Sequence, residues 1–289
     1  MRMLVALVVL VFPACAPGPT IFEAILEGDE EQVRVLLAAG DVVNAPLHSS
    51  IEELRDGNRI TLLGAGSTPL HAAAQDGNLA LAKLLLDHGA SLSIRDAYGH
   101  SPFHLAVVAG CQDLVALFLE EGVDPDQRVV LPEDSTIDAS LKRYLPGQAA
   151  LHKAAAAGQL QIAKLLLEQG AAVNVRSEAG MSPAHAAAAH ARGEMLALLM
   201  ERGADVDLPS LEGLTPLHLA ASNGLEIVGH NRGRLETMRI LLDAGADPGR
   251  RDKEGHTPEE RARATGFEQG SDFLAAWRAG RSAEPANGT

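Results

Sequence analysis

Aromatic side chains are scarce in this chain, with one tryptophan, two tyrosines and six phenylalanines among 289 residues. A surface that stacks single-stranded RNA needs several exposed rings, so that class of function is disfavoured. Basic charge is short too. Lys and Arg number 24 against 38 Asp and Glu, and the formal net charge of −14 opposes a nucleic-acid backbone. Cys15 and Cys111 are too few for a disulfide framework or a paired-cysteine zinc motif. The chain has no Gly-x-Ser-x-Gly elbow, phosphate-binding loop or dinucleotide fingerprint. The apolar run from Met3 to Phe12 is too short to cross a bilayer, which takes about 20 residues. Together these absences predict a non-enzymatic protein without cofactor or metal.

What is present is repetition. Thr68-Pro69-Leu70-His71 returns as Ser101-Pro102-Phe103-His104, Ala149-Ala150-Leu151-His152, Ser182-Pro183-Ala184-His185 and Thr215-Pro216-Leu217-His218. A last echo, Thr257-Pro258-Glu259-Glu260, lacks the histidine. The openings are separated by 33, 48, 33, 33 and 42 positions. Gly77, Gly110, Gly158, Gly224 and Gly266 each follow an opening by nine residues, and Gly89, Gly122 and Gly170 come twelve later. Thr or Ser caps a helix and Pro takes its first turn, where a missing N–H costs nothing. Glycine then ends the helix in the left-handed conformation. A second helix with a Leu-rich face, such as Leu81, Leu84, Leu85 and Leu86, runs to the next glycine.

The period, Thr-Pro-Leu-His, Leu219-Ala220-Ala221, Leu165-Leu166-Leu167 and the Gly203–Asp207 stretch closely resemble the ankyrin repeat. Aligning Gly28 and Gly40 with Gly77 and Gly89 finds a further first copy opening near Pro19, with Glu23 and Glu27 suited to a terminal cap. The expected fold is all-α: an ankyrin-repeat solenoid of about seven helix-turn-helix repeats with short finger turns and loop insertions. The expected division is 1–18 export signal and linker, 19–280 ankyrin-repeat domain and 281–289 disordered tail.

The first residues read as an address. Arg2, the Met3–Phe12 run and Pro13-Ala14-Cys15-Ala16 have the layout of an export signal. Phe12-Pro13-Ala14-Cys15 also resembles the bacterial lipoprotein box, although Phe12 and Pro13 depart from its usual residues. That resemblance implies lipidation of Cys15, and Ala16 in place of Asp implies the outer membrane. The alternative is an ordinary signal cleaved after Ala16, which would leave Pro17 in an unfavourable place after the cut. The expected location is the periplasm, with any membrane contact made through the lipid. Cys111 reads as a tolerated small residue at the start of a second helix.

Three departures from the period fall around 41–66, 129–147 and 228–234. The first two interrupt the connection that forms the finger in ankyrin architecture, and the third lies between the two helices of one repeat. Insertions of this kind are loops available for recognition, or neutral drift. In the second, Ile137, Leu141 and Tyr144 are spaced for a short amphipathic helix within 135–145, and Tyr144 is a candidate partner-binding ring. Nine acidic residues against three arginines between Thr20 and Gly66 make either a solvated acidic surface or a lure for a basic partner.

Of eleven histidines, His71, His104, His152, His185 and His218 belong to the repeat. The resemblance implies that they hydrogen-bond turn backbone between neighbours, a structural role. Register places Gln75, Asp76, Val108, Ala109, Ala156, Ala157, Ser222 and Asn223 on the groove. It places Ala97, Tyr98, Glu178, Ala179, Leu211, Glu212, Lys253 and Glu254 at finger tips. Tyr98 is either an interface anchor or packing for the adjacent finger. The expected function is binding of a protein partner by a monomer, through groove and fingers. An immunity protein that caps a toxin, or a scaffold that stabilises an exported enzyme, are the alternatives. A cleavable export signal argues against delivery into host cytoplasm.

Overall fold

The structure, a computed structural model, describes residues 20–40, 42–47, 51–55, 58–131, 146–222 and 231–280. Cys15, Tyr144, Asn223, the helix expected within 135–145 and the two terminal segments lie outside the described residues.

Short helices come in pairs. They are α1 (Ile21–Glu27) with α2 (Glu30–Ala38), α3 (Pro69–Asp76) with α4 (Leu79–Asp87), and α5 (Pro102–Ala109) with α6 (Gln112–Glu120). Next come α7 (Ala150–Ala157) with α8 (Leu160–Glu168), and α9 (Pro183–Ala189) with α10 (Gly193–Glu201). The last are α11 (Pro216–Ala221) with α12 (Asn231–Asp243), and α13 (Pro258–Ala264) with α14 (Glu268–Arg278). This is the all-α repeat array that the spacing predicts. The chain divides into two compact units, one of Met1–Asp124 with Val129–Lys142, the other of Pro125–Arg128 with Arg143–Thr289. Unit 1 holds α1–α6, with α3 packed on α1, α4 and α5. Unit 2 holds α7–α14, with α9 packed on α7, α10 and α11.

Composition explains the stacking. Ala72, Ala73, Ala74, Ala106, Ala154, Ala155, Ala187, Ala188, Ala220 and Ala221 are buried on the first helices, where small side chains let neighbouring helices approach closely. The volume between the layers is filled from the second helices by Leu81, Leu85, Leu114, Phe118, Leu166, Met195 and Leu196. Asn78 caps α4 by accepting the Leu81 N–H at 3.1 Å. Gly28, Gly77, Gly110 and Gly158 end first helices in the left-handed region. At the equivalent position after α9 stands Ala191 with φ 53°, the one non-glycine residue with positive φ among the described residues.

Two insertions differ from plain loops. In the first, β1 (Ile51–Arg55) and β2 (Asn58–Leu63) form an antiparallel hairpin with Arg55 opposite Asn58. Asp56-Gly57 stands between the strands in sequence, the pair that two-residue hairpins favour. In the third, Asn231–Arg234 is helical and lengthens α12 to 13 residues, against nine in α4, α6, α8 and α10.

Candidate partner-binding face

The fingers are joined rung by rung through their backbones. In unit 1 the Ala97 N–H donates to the Ala65 carbonyl at 2.7 Å and Val130 N–H to Gly99 at 3.4 Å. In unit 2 Glu178 N–H donates to Pro146 at 3.1 Å, Leu211 to Ala179 at 3.0 Å and Lys253 to Glu212 at 2.9 Å. Each tip is tied from within by a buried polar residue five positions before the next helix opening. Asp96 Oδ1 accepts the Tyr98 and His100 N–H groups at 2.9 and 2.8 Å. Asp252 Oδ1 accepts the Glu254 and His256 N–H groups at 2.9 and 3.0 Å. Ser177 and Ser210 act through their hydroxyls, which accept from Met181 and from Glu212 and Leu214. A carboxylate or hydroxyl there satisfies N–H groups that the tight turn cannot pair.

A second tie, also missed by sequence reasoning, joins one repeat to the next. Four residues after the helix-ending glycine stands Asn44, Asp126, Asn174 or Asp207. Asn44 Oδ1 accepts the Ser91 N–H at 2.8 Å and Asn174 Oδ1 the Asp205 N–H at 2.9 Å. The carboxylates of Asp126 and Asp207 accept the N–H groups of Ala172 and Asp247. The recurrence of Asn or Asp at that offset was the available signal.

The motif histidines connect cap and neighbour. His71 Nδ1 accepts the Thr68 N–H at 3.0 Å, and its Nε2 donates to the His100 carbonyl of the next finger at 3.1 Å. His152, His185 and His218 repeat this, donating to Met181, Leu214 and His256 at 2.9, 2.8 and 3.1 Å. His104 Nδ1 accepts the Ser101 N–H at 3.3 Å. Burial pushes the imidazoles of His71, His152 and His185 down to about 4 and lowers that of His218. At the two ends glutamate replaces histidine. Glu23 accepts the Thr20 N–H at 2.6 Å and Glu260 the Thr257 N–H at 2.7 Å, each completing a capping box.

With these groups committed to structure, the face consists of what they support. Asp76, Val108, Ala109 and Ala157 are exposed at the groove ends of α3, α5 and α7, and Gln75 and Ala156 are half-buried. Ser222 turns back on its own helix, its hydroxyl donating to the His218 carbonyl at 2.7 Å. At the finger tips Glu178, Leu211, Glu212, Lys253 and Glu254 are exposed. The half-buried Tyr98 ring lies against Gly64, so close that a Cβ there would sit 2.8 Å from Cε2. Tyr98 therefore packs on the preceding finger, the second of its two readings, while keeping one side to solvent. Asp252, Glu254 and His256 bring ligand-type atoms within 4.8 Å of one another. Arg261 bonds both Asp252 and Glu254, so the charge that would hold a cation is already met.

The model of the family described as ankyrin repeats (3 copies) matches residues 21–129, 133–210 and 151–252. The chain belongs to the ankyrin-repeat family. Among its relatives, human protein phosphatase 1 regulatory subunit 27 is 37% identical over 111 residues, which are 38% of this chain and 62% of that protein. An ankyrin repeat-containing protein of Treponema pallidum is 33% identical over 111 residues, 38% of this chain and 33% of its own length. The chain spans a small part of other relatives, 30% of an ankyrin repeat protein of fowlpox virus and 9% of human Rabankyrin-5. The human ASB11 ankyrin repeat domain superposes with a TM-score of 0.64 at 24% identity, over 93% of this chain and 100% of that one. Ankyrin repeats are in general protein-binding modules rather than enzymes, and the present repeats keep that architecture.

Proposed function

We propose that this ankyrin-repeat protein binds a protein partner through groove and finger tips, in the periplasm or at an outer membrane. One observation carries the reading. Of five large apolar side chains left exposed among the described residues, three, Val108, Val130 and Leu211, stand on groove or finger positions. Their exposures of 54, 55 and 57% leave apolar surface on the rung-bonded fingers and first helices, Val108 and Val130 in unit 1 and Leu211 in unit 2. The five motif histidines are tied up in the scaffold, which favours recognition over catalysis. Nucleic acid is disfavoured by the net charge of −14.

The partner is tested by capture from a periplasmic fraction with wild type, Val108→Ser in unit 1 and Leu211→Ser in unit 2. Loss of a captured protein in either variant supports the surface of that unit; retention in both overturns the reading. An enzyme-docking scaffold is the second reading, favoured by the relative whose name marks it as a phosphatase regulatory subunit. A toxin gene beside this one would favour an immunity role instead. The location rests on the short apolar run ending at Ala14-Cys15. Labelled fatty acid should enter wild type and not Cys15→Ser, and equal labelling, or none, would sink the lipid anchor.

A further inference from the structure

His152 on α7 and His185 on α9 sit in successive repeats of unit 2, 2% and 0% exposed. Both nitrogens of each ring are committed. Nδ1 of His152 accepts the Ala149 N–H at 3.2 Å, and Nδ1 of His185 accepts the Ser182 N–H at 3.0 Å. Nε2 of each donates to the carbonyl of the next repeat, Met181 or Leu214. A backbone N–H can only donate, and at His185 the Ser182 hydroxyl also lies 2.9 Å from Nδ1. A proton on Nδ1 of His152 would set one N–H against another inside a dry layer; on His185 it would turn to the Ser182 hydroxyl and leave the Ser182 N–H without its acceptor.

The charged groups that bear most on the two rings are cations and other histidines. His152 faces Arg128 of the finger connection and Lys153 of its own helix. His185 faces His152, Arg176 of the next finger and His218 of α11. Asp96 and Asp252 oppose burial at His71 and His218 respectively, yet His71 is still held at about 4 and adds its own pH dependence in unit 1.

We propose that His152 and His185 form a proton-operated catch: neutral, they join the repeats from α7 to α11; protonated, they break those joints, so mild acid takes this part of the stack apart. This goes beyond partner binding and needs no partner to be tested. Free histidine in an unfolded chain titrates near 6.5, and burial holds these two at about 4. The unfolded chain therefore binds more protons through this window. The stability the two groups contribute is complete above about pH 6.5 and is lost as pH falls towards 4. Asp76 and Asp207, whose carboxyls desolvation pushes up, act with the opposite sign near the bottom of the window.

The test is urea unfolding of the full chain at pH 7, 6 and 5, read by the emission of Trp277, the sole tryptophan, on α14 of unit 2. The unfolding constant should rise about 20-fold per histidine between pH 7 and pH 5. His152→Gln and His185→Gln should each remove about one such factor from the pH dependence, whatever they do to stability at pH 7. If a variant does not fold, deuterium exchange at the imidazole C2–H of wild type, read peptide by peptide, decides the matter. Folded His152 and His185 titrating below pH 5 support the catch. Titration near pH 6.5 in the folded protein, or an unfolding constant that is flat from pH 7 to 5, overturns it.

Discussion

Ala191 stands where four first helices end in glycine, and its φ of 53° makes it the most direct test of how these repeats are punctuated. A left-handed residue with a Cβ pays about 1–2 kcal/mol for the clash with its own carbonyl. Ala191→Gly removes that cost but gives the unfolded chain more freedom, which returns about 0.5–1 kcal/mol. The expected result is a net stabilisation of roughly 0.5–1 kcal/mol. Gly28→Ala is the mirror experiment. Its φ is 72° and nothing lies within 4 Å of the added Cβ, so the loss of about 1 kcal/mol comes from backbone alone. Gly77→Ala adds a contact, since its Cβ would lie 2.4 Å from Cys111 Sγ, and should cost about 1–3 kcal/mol more than Gly28→Ala. Urea midpoints for the three variants, with the slope checked for constancy, give the order directly. A destabilised Ala191→Gly, or a Gly77→Ala no worse than Gly28→Ala, would refute the account of these turns.

The histidine bonds predict that His152→Ala or His185→Ala leaves buried cap and turn groups unpaired, at about 1–3 kcal/mol each. The exposed Glu178→Gln should stay within about 0.5 kcal/mol, and equal small shifts in both sets would remove the structural role of the histidines. Asn174→Ala breaks the tie to the Asp205 N–H and the Gly203 carbonyl and should cost about 1 kcal/mol. Its signature is faster hydrogen exchange at Asp205, and unchanged protection there would show that water replaces the side chain without loss.

How much could be read in advance depends on how far each bond reaches. Helix openings, glycine stops and the Leu-rich second helices follow from residues within a turn of one another, such as Thr68 with His71 and Asn78 with Leu81. The hairpin of the first insertion carried a local signal in Asp56-Gly57, but the competing period of the repeat hid it. The finger staples and repeat ties were not legible as such. Asn44 meets Ser91 47 positions away, Asp126 meets Ala172 46 away and Arg176 meets Pro209 33 away. Tyr98 is the sharpest case, because the Gly64 that shelters its ring belongs to another finger. By itself, then, the chain determined its period, its caps and its helices, all governed by contacts inside one repeat. Which side chains remain free to meet a partner was decided only when repeats stacked, because burial and pairing there depend on a neighbour's backbone about 30 or more residues away.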